Sequence, residues 1–290
     1  MNQDSISLKN ESLWLEVACS IGPRILGLGF KNGPNLLAEL PDFKTLRPDG
    51  KAYTFHGGHR LWRSPEDPIL SYDLEDGPVD ILPTENGIKI IKPANAESGI
   101  EKSIQVVLPD QNPKVIITHH LKNCGSHPVK CAPWAITQLR TGGMAILPMN
   151  DADTGFLPNR NLVLWPYTDL VNRNLQLGRH FILVNATMDG PFKIGFSNPV
   201  GWLAYLLEDV LFVKYSSFEP RAVYPDFGCS SECYCNSQFL ELETLGPLQE
   251  IQSGDSIQHM ETWELYRELT RPHTEEEVQR LVEQLELKGQ

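Results

Sequence analysis

The feature that most constrains the fold is a long series of short apolar runs separated by turn residues. Gly and Pro, 22 of each, punctuate the chain between these runs. Many short runs with turn signals and almost no helical periodicity are typical of an all-β sandwich or barrel. The predicted strands cover residues 13–19, 25–30, 87–91, 100–108, 114–121, 128–138, 145–149, 162–165, 180–186, 192–196, 202–207 and 210–215. The first two form a hairpin at the start of the chain, and residues 42–51 are predicted to be loop.

One helix is predicted near the end of the chain, at about 274–288. Thr274 is a typical N-cap, acidic residues follow it, and Glu277 stands in the capping-box position. Val278, Leu281, Val282 and Leu285 then form an apolar stripe at helical spacing. We expect this helix to pack on the outside of the β-structure. With no internal repeat or linker, residues 1–290 are predicted to form a single domain.

Charge and length exclude several classes of partner. The net charge of -12 and the pI near 5.1 argue against nucleic acid and against an anionic membrane. No apolar run reaches the roughly 20 residues of a membrane span. The opening residues MNQDSISLKNES lack the apolar region of a secretory signal, so we expect a cytoplasmic protein. A neutral small molecule fits this balance of charge best.

The cysteines do not indicate a metal site. Six cysteines in 290 residues do not make a disulfide framework, so reduced thiols are expected. Cys229, Cys233 and Cys235 form a C-x3-C-x-C cluster, which is not a standard zinc spacing, and no fourth ligand stands nearby. We therefore expect buried or turn cysteines and no bound metal.

The segment from Phe239 to Leu245 alternates strictly, as a strand does. Glu241 and Glu243 then share one face with Phe239 and Leu245, about 7 Å apart at about 3.4 Å per residue. The Glu face is either solvated or placed in a cleft, where partial desolvation would make one carboxyl a candidate acid or base. After turn signals at Gly246-Pro247 and 253–255, residues 256–266 are predicted to pair with this strand.

A second informative stretch is YTFHGGHRLW, from residue 53 to 62. Gly57 and Gly58 lie between His56 and His59 and would allow positive φ and close approach to a ligand. Arg60 supplies fixed hydrogen-bond donors, and the face of Trp62 could stack on a sugar ring. The alternative is a tight loop with exposed polar residues.

Other candidate residues are more isolated in the sequence. His119 and His120 are adjacent in a predicted strand and should face opposite sides. Trp134 follows a proline in a strand context and could be core or ligand platform. Asp226 and Glu232 flank the cysteine cluster in YPDFGCSSECY, a predicted loop that precedes the Glu strand and could reach the same cleft.

These features together resemble the galactose mutarotase-like superfamily, which includes the aldose 1-epimerases. The resemblance rests on the hairpin with Gly22-Pro23-Arg24-Ile25, on His-Gly-Gly at 56–58, on Leu242-Glu243-Thr244, and on the late turn and strand. HGGHRLWRSPE, KIGFSNPVGWLAYLLEDVLFVKY and YPDFGCSSECYCNSQFLELETLGPL resemble the uncharacterised DUF4380 family within that superfamily. This closer resemblance covers most of the chain.

The resemblance implies a large antiparallel β-sandwich whose concave face binds a saccharide, with no metal or organic cofactor. In the epimerases a Glu takes the proton of the anomeric hydroxyl while a His protonates the ring oxygen. Glu243 matches the base, Glu241 is its neighbour on the same face, and His56 matches a substrate-binding His. Trp134 stands where the acid is expected, so His59, His119 or His120 would have to replace it.

The sequence therefore leaves two main hypotheses. One is an epimerase or mutarotase-like isomerase acting on a free sugar, with catalytic Glu243, Glu241 and His59 and with the substrate bound by His56, Arg60, Trp62, Trp134, Asp226 and Glu232. The other is a non-catalytic carbohydrate-binding or sugar-sensing protein. A glycan lyase or hydrolase is a further alternative, and a phosphosugar would need Arg60, Arg63 or Arg24. Exposed edge strands would permit a homodimer.

Overall fold

The computed structural model describes residues 4–289, and short β-strands dominate it. The first eleven strands are β1 (Ser5–Lys9), β2 (Leu13–Ala18), β3 (Arg24–Phe30), β4 (Glu39–Leu46), β5 (Ala52–Gly57), β6 (His59–Ser64), β7 (Asp80–Thr84), β8 (Gly87–Lys92), β9 (Ile100–Val107), β10 (Lys114–Asn123) and β11 (Val129–Arg140). The others are β12 (Met144–Pro148), β13 (Val163–Leu164), β14 (Leu175–Leu177), β15 (Phe181–Asn185), β16 (Phe192–Phe196), β17 (Trp202–Leu207), β18 (Val210–Ser216), β19 (Ser231–Cys235), β20 (Phe239–Leu245), β21 (Gln249–Ile251) and β22 (Ser256–Tyr266). The helical elements are a single turn, α1 (Pro225–Gly228), and α2 (Glu275–Gln284).

The strands form two large sheets and one small one. The first sheet has the order β1-β2-β3-β6-β11-β20-β19-β16-β13, and β21 also pairs with β11. The second has the order β14-β15-β12-β17-β18-β22-β10-β9-β8-β7, while β4 and β5 pair separately. Every strand pair within residues 4–289 is antiparallel. The predicted all-β antiparallel sandwich is confirmed.

The main core lies between the two large sheets. Alternating residues of β20, such as Leu240 and Leu242, point into it from the first sheet, and Trp263 and Leu265 of β22 point into it from the second. Because one face of β20 is used in this way, its other face is available for the residues Phe239, Glu241, Glu243 and Leu245. The alternation predicted for this strand is confirmed.

The helix α2 covers the outer face of the second sheet. Its Val278, together with Leu287 beyond the helix, packs against a cluster that includes Trp202. The Thr274 side chain accepts a hydrogen bond from the Glu277 amide, as an N-cap should. The predicted cap and the outside position are therefore confirmed, but the helix ends at Gln284 rather than near 288. No helix within residues 4–289 has the length and apolarity that crossing a membrane would require.

Three predictions of local structure are wrong. The strand at 256–266 is present, but as β22 it pairs with β18 and β10 of the second sheet and not with β20. The predicted loop after Asp226 contains β19, which pairs with β20 and β16. Residues 42–46, predicted as loop, belong to β4. The partners of β22, and the partner β16 of β19, are distant in sequence, and local turn signals cannot indicate such pairings. The strand β4 instead pairs locally with β5.

The two glycines after His56 have positive φ, as predicted, but they approach backbone and not a ligand. Gly57 and Gly58 have φ of 85° and 73°. A Cβ on Gly57 would lie 2.0 Å from the Ala38 carbonyl oxygen, and one on Gly58 would lie 2.1 Å from that of Ile25. These glycines therefore let the chain pass from β5 into β6 between two neighbouring strands.

Candidate functional site

Five neighbouring strands of the first sheet, β6, β11, β20, β19 and β16, form the floor of a cleft on the face away from the core. Strand register aligns their outward side chains in rows. One row across β6, β11, β20 and β19 consists of Arg60, Ile136, Glu243 and Glu232. The next row, across β11, β20, β19 and β16, consists of Gln138, Glu241, Tyr234 and Lys193. The antiparallel pairing therefore brings both carboxylates of β20 together with two cations.

The cleft is rich in aromatic side chains. It encloses about 480 Å³, a volume in the range of small-molecule sites. More than half of the side chains around it are aromatic, namely Phe43, Phe55, Trp62, Tyr72, Trp134, Trp165, Tyr167, Tyr234 and Phe239. Polar groups at the cleft surface include those of Arg60, Glu66, Lys193 and Glu241. This combination of flat apolar faces and fixed polar groups suits a sugar ring, whose C–H faces stack on aromatics.

Glu241 is the carboxylate at the surface of the cleft. Its Oε1 accepts a hydrogen bond from Nη2 of Arg60 at 3.0 Å, and the Arg60 guanidinium lies 4.4 Å from the Trp62 ring centroid. Burial raises the pKa of Glu241, and the charge of Glu243 adds to this effect while Arg60 opposes it. A carboxylate with a raised pKa is better suited to exchanging protons near neutral pH than an exposed one.

Glu243 lies deeper and is fully buried. Its Oε2 accepts hydrogen bonds from Nε1 of Trp134 at 2.7 Å and from Nζ of Lys193 at 3.0 Å. Its Oε1 has no hydrogen-bond partner within residues 4–289. Buried polar atoms are rarely left unpartnered in proteins, so this oxygen is a candidate contact for a bound ligand.

Glu232 and Asp226 extend the same group of charges. Glu232 is fully buried, and its Oε2 lies 2.7 Å from Nζ of Lys193. Burial raises the pKa of Glu232 well above its usual range, and the carboxylates of Glu243 and Asp226 raise it further, although Lys193 opposes them. Burial also raises the pKa of Asp226, which is within hydrogen-bonding reach of Glu232. Asp226 and the next residue have positive φ, an uncommon conformation outside glycine.

The cleft therefore contains, or lies directly above, six of the nine residues predicted for the site. Arg60, Trp62, Trp134 and Glu241 line it. Glu243 and Glu232 lie directly below, in contact with Lys193. Asp226 lies beside Glu232 on the single turn α1.

The two predicted histidines do not join this group. The backbone turns at His56, which has φ of 59°, and its Nε2 lies 2.7 Å from Oδ1 of Asp76. His59 is adjacent to Arg60 on β6 and therefore points to the opposite face, into the core. Its ring there contacts Thr137 and His119 at 2.9 and 2.7 Å. The structure thus places His59, which was predicted as an acid, and His119 away from the cleft carboxylates.

His59, His119 and Glu261 are close enough together to be considered as metal ligands. Their ligand atoms are already used, however. The two imidazole Nε2 atoms face each other in a hydrogen bond, and Glu261 accepts from Trp263 at 2.9 Å. The Lys214 ammonium lies 2.9 Å from the same carboxylate. A divalent cation would have to displace this ammonium, so the residues fit a hydrogen-bonded network better than a metal site.

Several residues of the cleft were not predicted from the sequence. Lys193 is on β16, and Trp165 and Tyr167 are on the segment that follows β13. Tyr72 and Glu66 are on the segment between β6 and β7, and the Tyr72 hydroxyl donates to Glu66 at 2.7 Å. Alternation along residues 192–196 could have placed Lys193 on one face of a strand. Only the strand order could place that face beside Glu243.

The comparisons with known proteins match the fold alone. No protein-family model matches the chain, and no curated protein matches its sequence. Among solved structures, the Slr1438 protein from Synechocystis sp. PCC 6803 has a TM-score of 0.58 at 13% identity, over 92% of this chain and 98% of that chain. A galactose mutarotase-like protein from Lactobacillus casei has a TM-score of 0.57 at 12% identity, over 91% of this chain and 100% of that chain.

Further solved structures with this fold carry aldose 1-epimerase or mutarotase in their names. The chain therefore has the galactose mutarotase-like β-sandwich fold. Identities of 7 to 13% do not transfer a reaction or a substrate from these proteins. The resemblance to the DUF4380 family stays a prediction, because no family model matches.

Proposed function

We propose that this protein is a carbohydrate isomerase of the aldose 1-epimerase kind, which acts on a free sugar bound in the aromatic cleft. The observation that carries the proposal is the position of Glu241 and Glu243. Both lie on the cleft face of β20, beneath aromatic rings that suit the apolar faces of a sugar. Similarity of fold to galactose mutarotase-like proteins supports the proposal as an analogy.

In this proposal Glu243 is the general base. Two donors hold its Oε2, and its Oε1 is left for the anomeric hydroxyl. The base takes the hydroxyl proton, the bond from C1 to the ring oxygen breaks, and an acid protonates that oxygen. Rotation about the C1–C2 bond and the reverse proton transfers then close the ring in the other anomer. Acid and base contribute about 10²–10⁴-fold each in such reactions.

Tyr72 is the proton donor that we propose in place of a histidine. It packs against Trp62 of β6 at a centroid distance of 4.5 Å, two strands away from β20. At about 4.8 Å per strand, β6 and β20 are roughly 10 Å apart, and the proposal requires one sugar ring to fill the space between Tyr72 and Glu243. The Tyr72 hydroxyl donates to Glu66 at 2.7 Å, and in this proposal the ring oxygen of the sugar replaces that carboxylate as its acceptor. Burial and the Glu66 carboxylate raise the pKa of Tyr72, which makes the hydroxyl a weak acid.

A non-catalytic sugar-binding protein is the second candidate. Two observations favour it: Glu243 is fully buried beneath the cleft surface, and Trp134 donates to it from the position where a histidine acid was expected. A binding protein needs only the aromatic faces and the polar groups of the cleft, without proton transfer.

Polarimetry on freshly dissolved α-D-glucose, α-D-galactose and other aldoses distinguishes the two candidates. We expect the wild type to accelerate mutarotation of at least one sugar, and Glu243→Gln to lose this acceleration. Loss only in Glu241→Gln would assign the base to the carboxylate at the cleft surface. If no aldose reacts but one of them raises the melting temperature of wild type and not of Trp62→Ala, the protein binds sugar without isomerising it.

The remaining parts of the proposal concern the whole chain. We propose membership of the DUF4380 family, a single domain over residues 1–290, and a cytoplasmic location, with a homodimer as a further prediction. A neutral sugar is favoured over a phosphosugar, because Arg24 is bound to Glu75 at 2.6 Å and Arg60 to Glu241. The charge of each guanidinium is then neutralised by a carboxylate, while Nε and Nη1 of Arg60 have no partner within residues 4–289 and could donate to a neutral sugar hydroxyl.

A further inference from the structure

Lys193 has an unusual environment for a lysine beside a cleft. Its side chain is only 6% exposed, and its ammonium contacts two fully buried carboxylates, Glu232 at 2.7 Å and Glu243 at 3.0 Å. It also lies 4.6 Å from the ring centroid of Trp134 and 4.7 Å from that of Trp165. Cation–π contacts of this kind are stronger when the cation is desolvated. Two carboxylates and two indoles therefore fix the position of one ammonium group.

The backbone around Lys193 keeps this arrangement in place. Its amide donates to Oγ1 of Thr168 at 3.3 Å, and the Thr168 hydroxyl donates back to its carbonyl oxygen. Thr168 belongs to the same segment as Trp165, whose carbonyl accepts from the Thr168 amide at 2.9 Å. The segment that carries one indole is thus attached to the strand that carries the lysine.

We propose that Lys193 is a positioning residue for Glu243. It holds Oε2 of the carboxylate, so that Oε1 is presented to a ligand in the cleft. This inference rests on the proposed function, in which Glu243 is the base. Trp134 donates to the same Oε2 at 2.7 Å, and two donors on one oxygen fix the carboxylate plane better than one.

Lys193 is unsuited to be the proton donor itself. Burial would lower its pKa, but the carboxylates of Glu232 and Glu243 outweigh burial and raise the pKa well above its usual range. The ammonium therefore keeps its proton throughout the neutral range. It is therefore a constant hydrogen-bond donor to Oε2 of Glu243.

Several charged groups face Glu243 and bear on its ionisation. The carboxylates are Glu241 on the same strand, Glu232 on β19 and Asp226 on α1, and the other cation is Lys214 from the opposite sheet. The Tyr167 and Tyr234 hydroxyls and the Cys229 and Cys233 thiols are also near, but burial raises the pKa of each and keeps it neutral. Lys193 is the cation in direct contact with Glu243, so its removal should change the electrostatic surroundings of this carboxylate more than removal of Lys214 would.

The test compares Lys193→Met and Lys193→Arg with a matched control, Lys102→Met. Lys102 is also fully buried and pairs with a buried glutamate, Glu75, at 3.2 Å, but both lie outside the cleft. The pH dependence of kcat/KM is measured by polarimetry on the aldose that wild type isomerises fastest. Crystal structures of wild type and Lys193→Met report the position of the Glu243 carboxylate.

We expect Lys193→Met to lower kcat by about 10²-fold, the effect of a displacement near 1 Å at a reacting group. The acid limb of its pH profile should move to higher pH, since the cation in contact with the base is lost. Lys193→Arg should keep the acid limb, and Lys102→Met should keep the whole profile. If Lys193→Met has the acid limb of wild type and the same kcat as Lys102→Met, the proposal that Lys193 positions Glu243 is wrong.

The crystal structures separate this inference from the function on which it rests. If wild type isomerises no aldose, the proposed function fails. The Glu243 carboxylate should nevertheless rotate in Lys193→Met, which would support the holding role of Lys193. An unchanged carboxylate would overturn that role whether or not the enzyme is active.

Discussion

Two buried lysines lie near opposite faces of strand β20, and their surroundings differ. Lys193 contacts Glu232 and Glu243 on the cleft face. Lys214 contacts Glu261 at 2.9 Å on the core face. Both lysines are buried and paired with glutamate, so neither the residue types nor the burial distinguishes the two clusters.

Hydrogen bonding does distinguish them. Nζ of Lys214 donates to the carbonyl oxygens of Ala135 and Leu242 and to Oγ1 of Thr137, at 2.9 to 3.1 Å. Glu261 accepts from Thr244 and Trp263. On the cleft face, by contrast, Oε1 of Glu243 has no partner within residues 4–289. A fully satisfied network stabilises a fold, whereas unpartnered buried oxygens cost stability and are expected at sites that bind.

The largest effect should come from breaking the core pair. Glu261→Gln leaves the Lys214 ammonium buried without its counter-charge, so we expect a loss of about 3–5 kcal/mol in the free energy of unfolding. Urea denaturation measures the loss, and kcat/KM per folded molecule should stay at the wild-type value. A fall in activity without a fall in stability would mean that the core pair also serves the cleft.

The core network should also make the protein sensitive to acid. Burial lowers the pKa of His119 to about 4 and that of His259 to about 3 from an ordinary 6.5. Between these pKa values the unfolded chain binds more protons than the folded protein does. Stability therefore falls as the pH drops below 6.5. Each unit by which the pKa of His119 is lowered corresponds to about 1.4 kcal/mol. Protonation of His119 should therefore lower the free energy of unfolding by about 3 kcal/mol in acid.

Urea unfolding at a series of pH values measures this dependence, with His119→Asn as the comparison. The Asn amide can still donate to the His259 carbonyl, which His119 Nδ1 contacts at 2.9 Å. Glu232 and Glu241, whose pKa values are raised by burial, act in the opposite direction in both proteins. The slope of stability against pH should be smaller in His119→Asn, and an equal slope would contradict the assignment.

On the cleft face the expected effect is on rate. Tyr72→Phe removes the proposed donor and should lower kcat/KM by about 10²-fold, equivalent to about 2.7 kcal/mol, with stability nearly unchanged. Polarimetry measures the rate. Tyr53→Phe is the control, because the Tyr53 hydroxyl is buried and accepts from Trp62 at 2.9 Å outside the cleft lining. Equal loss in both variants would indicate damaged packing and not a lost acid.

The smallest effect should come from Glu232→Gln. Burial raises the pKa of Glu232, so its charge is costly in the folded protein, and Lys193 keeps Glu243 as a partner when it is removed. We expect a change in the free energy of unfolding within about 1 kcal/mol, towards higher stability. Thermal unfolding of Glu232→Gln and Glu261→Gln, measured side by side, compares their effects on stability. A loss as large as in Glu261→Gln would show that the two clusters are alike.

Much of the local structure could be predicted from the sequence. The alternation in FLELETL placed Glu241 and Glu243 on one face of a strand, and the Thr274 cap with its apolar stripe placed the last helix. Both patterns depend on residues near one another in the chain, where periodicity reports which face is buried. The likeness of Leu242-Glu243-Thr244 to the epimerases then indicated the fold family that the comparisons support.

The histidines show where this reasoning stops. His59 and Arg60 are neighbours, and both were predicted for the cleft, yet only Arg60 faces it. Sequence shows that adjacent strand residues face opposite ways, but not which side is the core. Lys193 was not predicted for the site for a different reason. It is 50 residues from Glu243 in the sequence, and only the pairing of strands brings the two together.

The all-β character, the shared Glu face and the capped terminal helix could be predicted from the sequence, because they depend on spacing along the backbone. The tertiary structure alone decided that β22 joins the opposite sheet, that Lys193 reaches Glu243, and that Tyr72 rather than a histidine borders the cleft. The physical reason is that strand order and register, which join residues far apart in sequence, determine which side chains share a face.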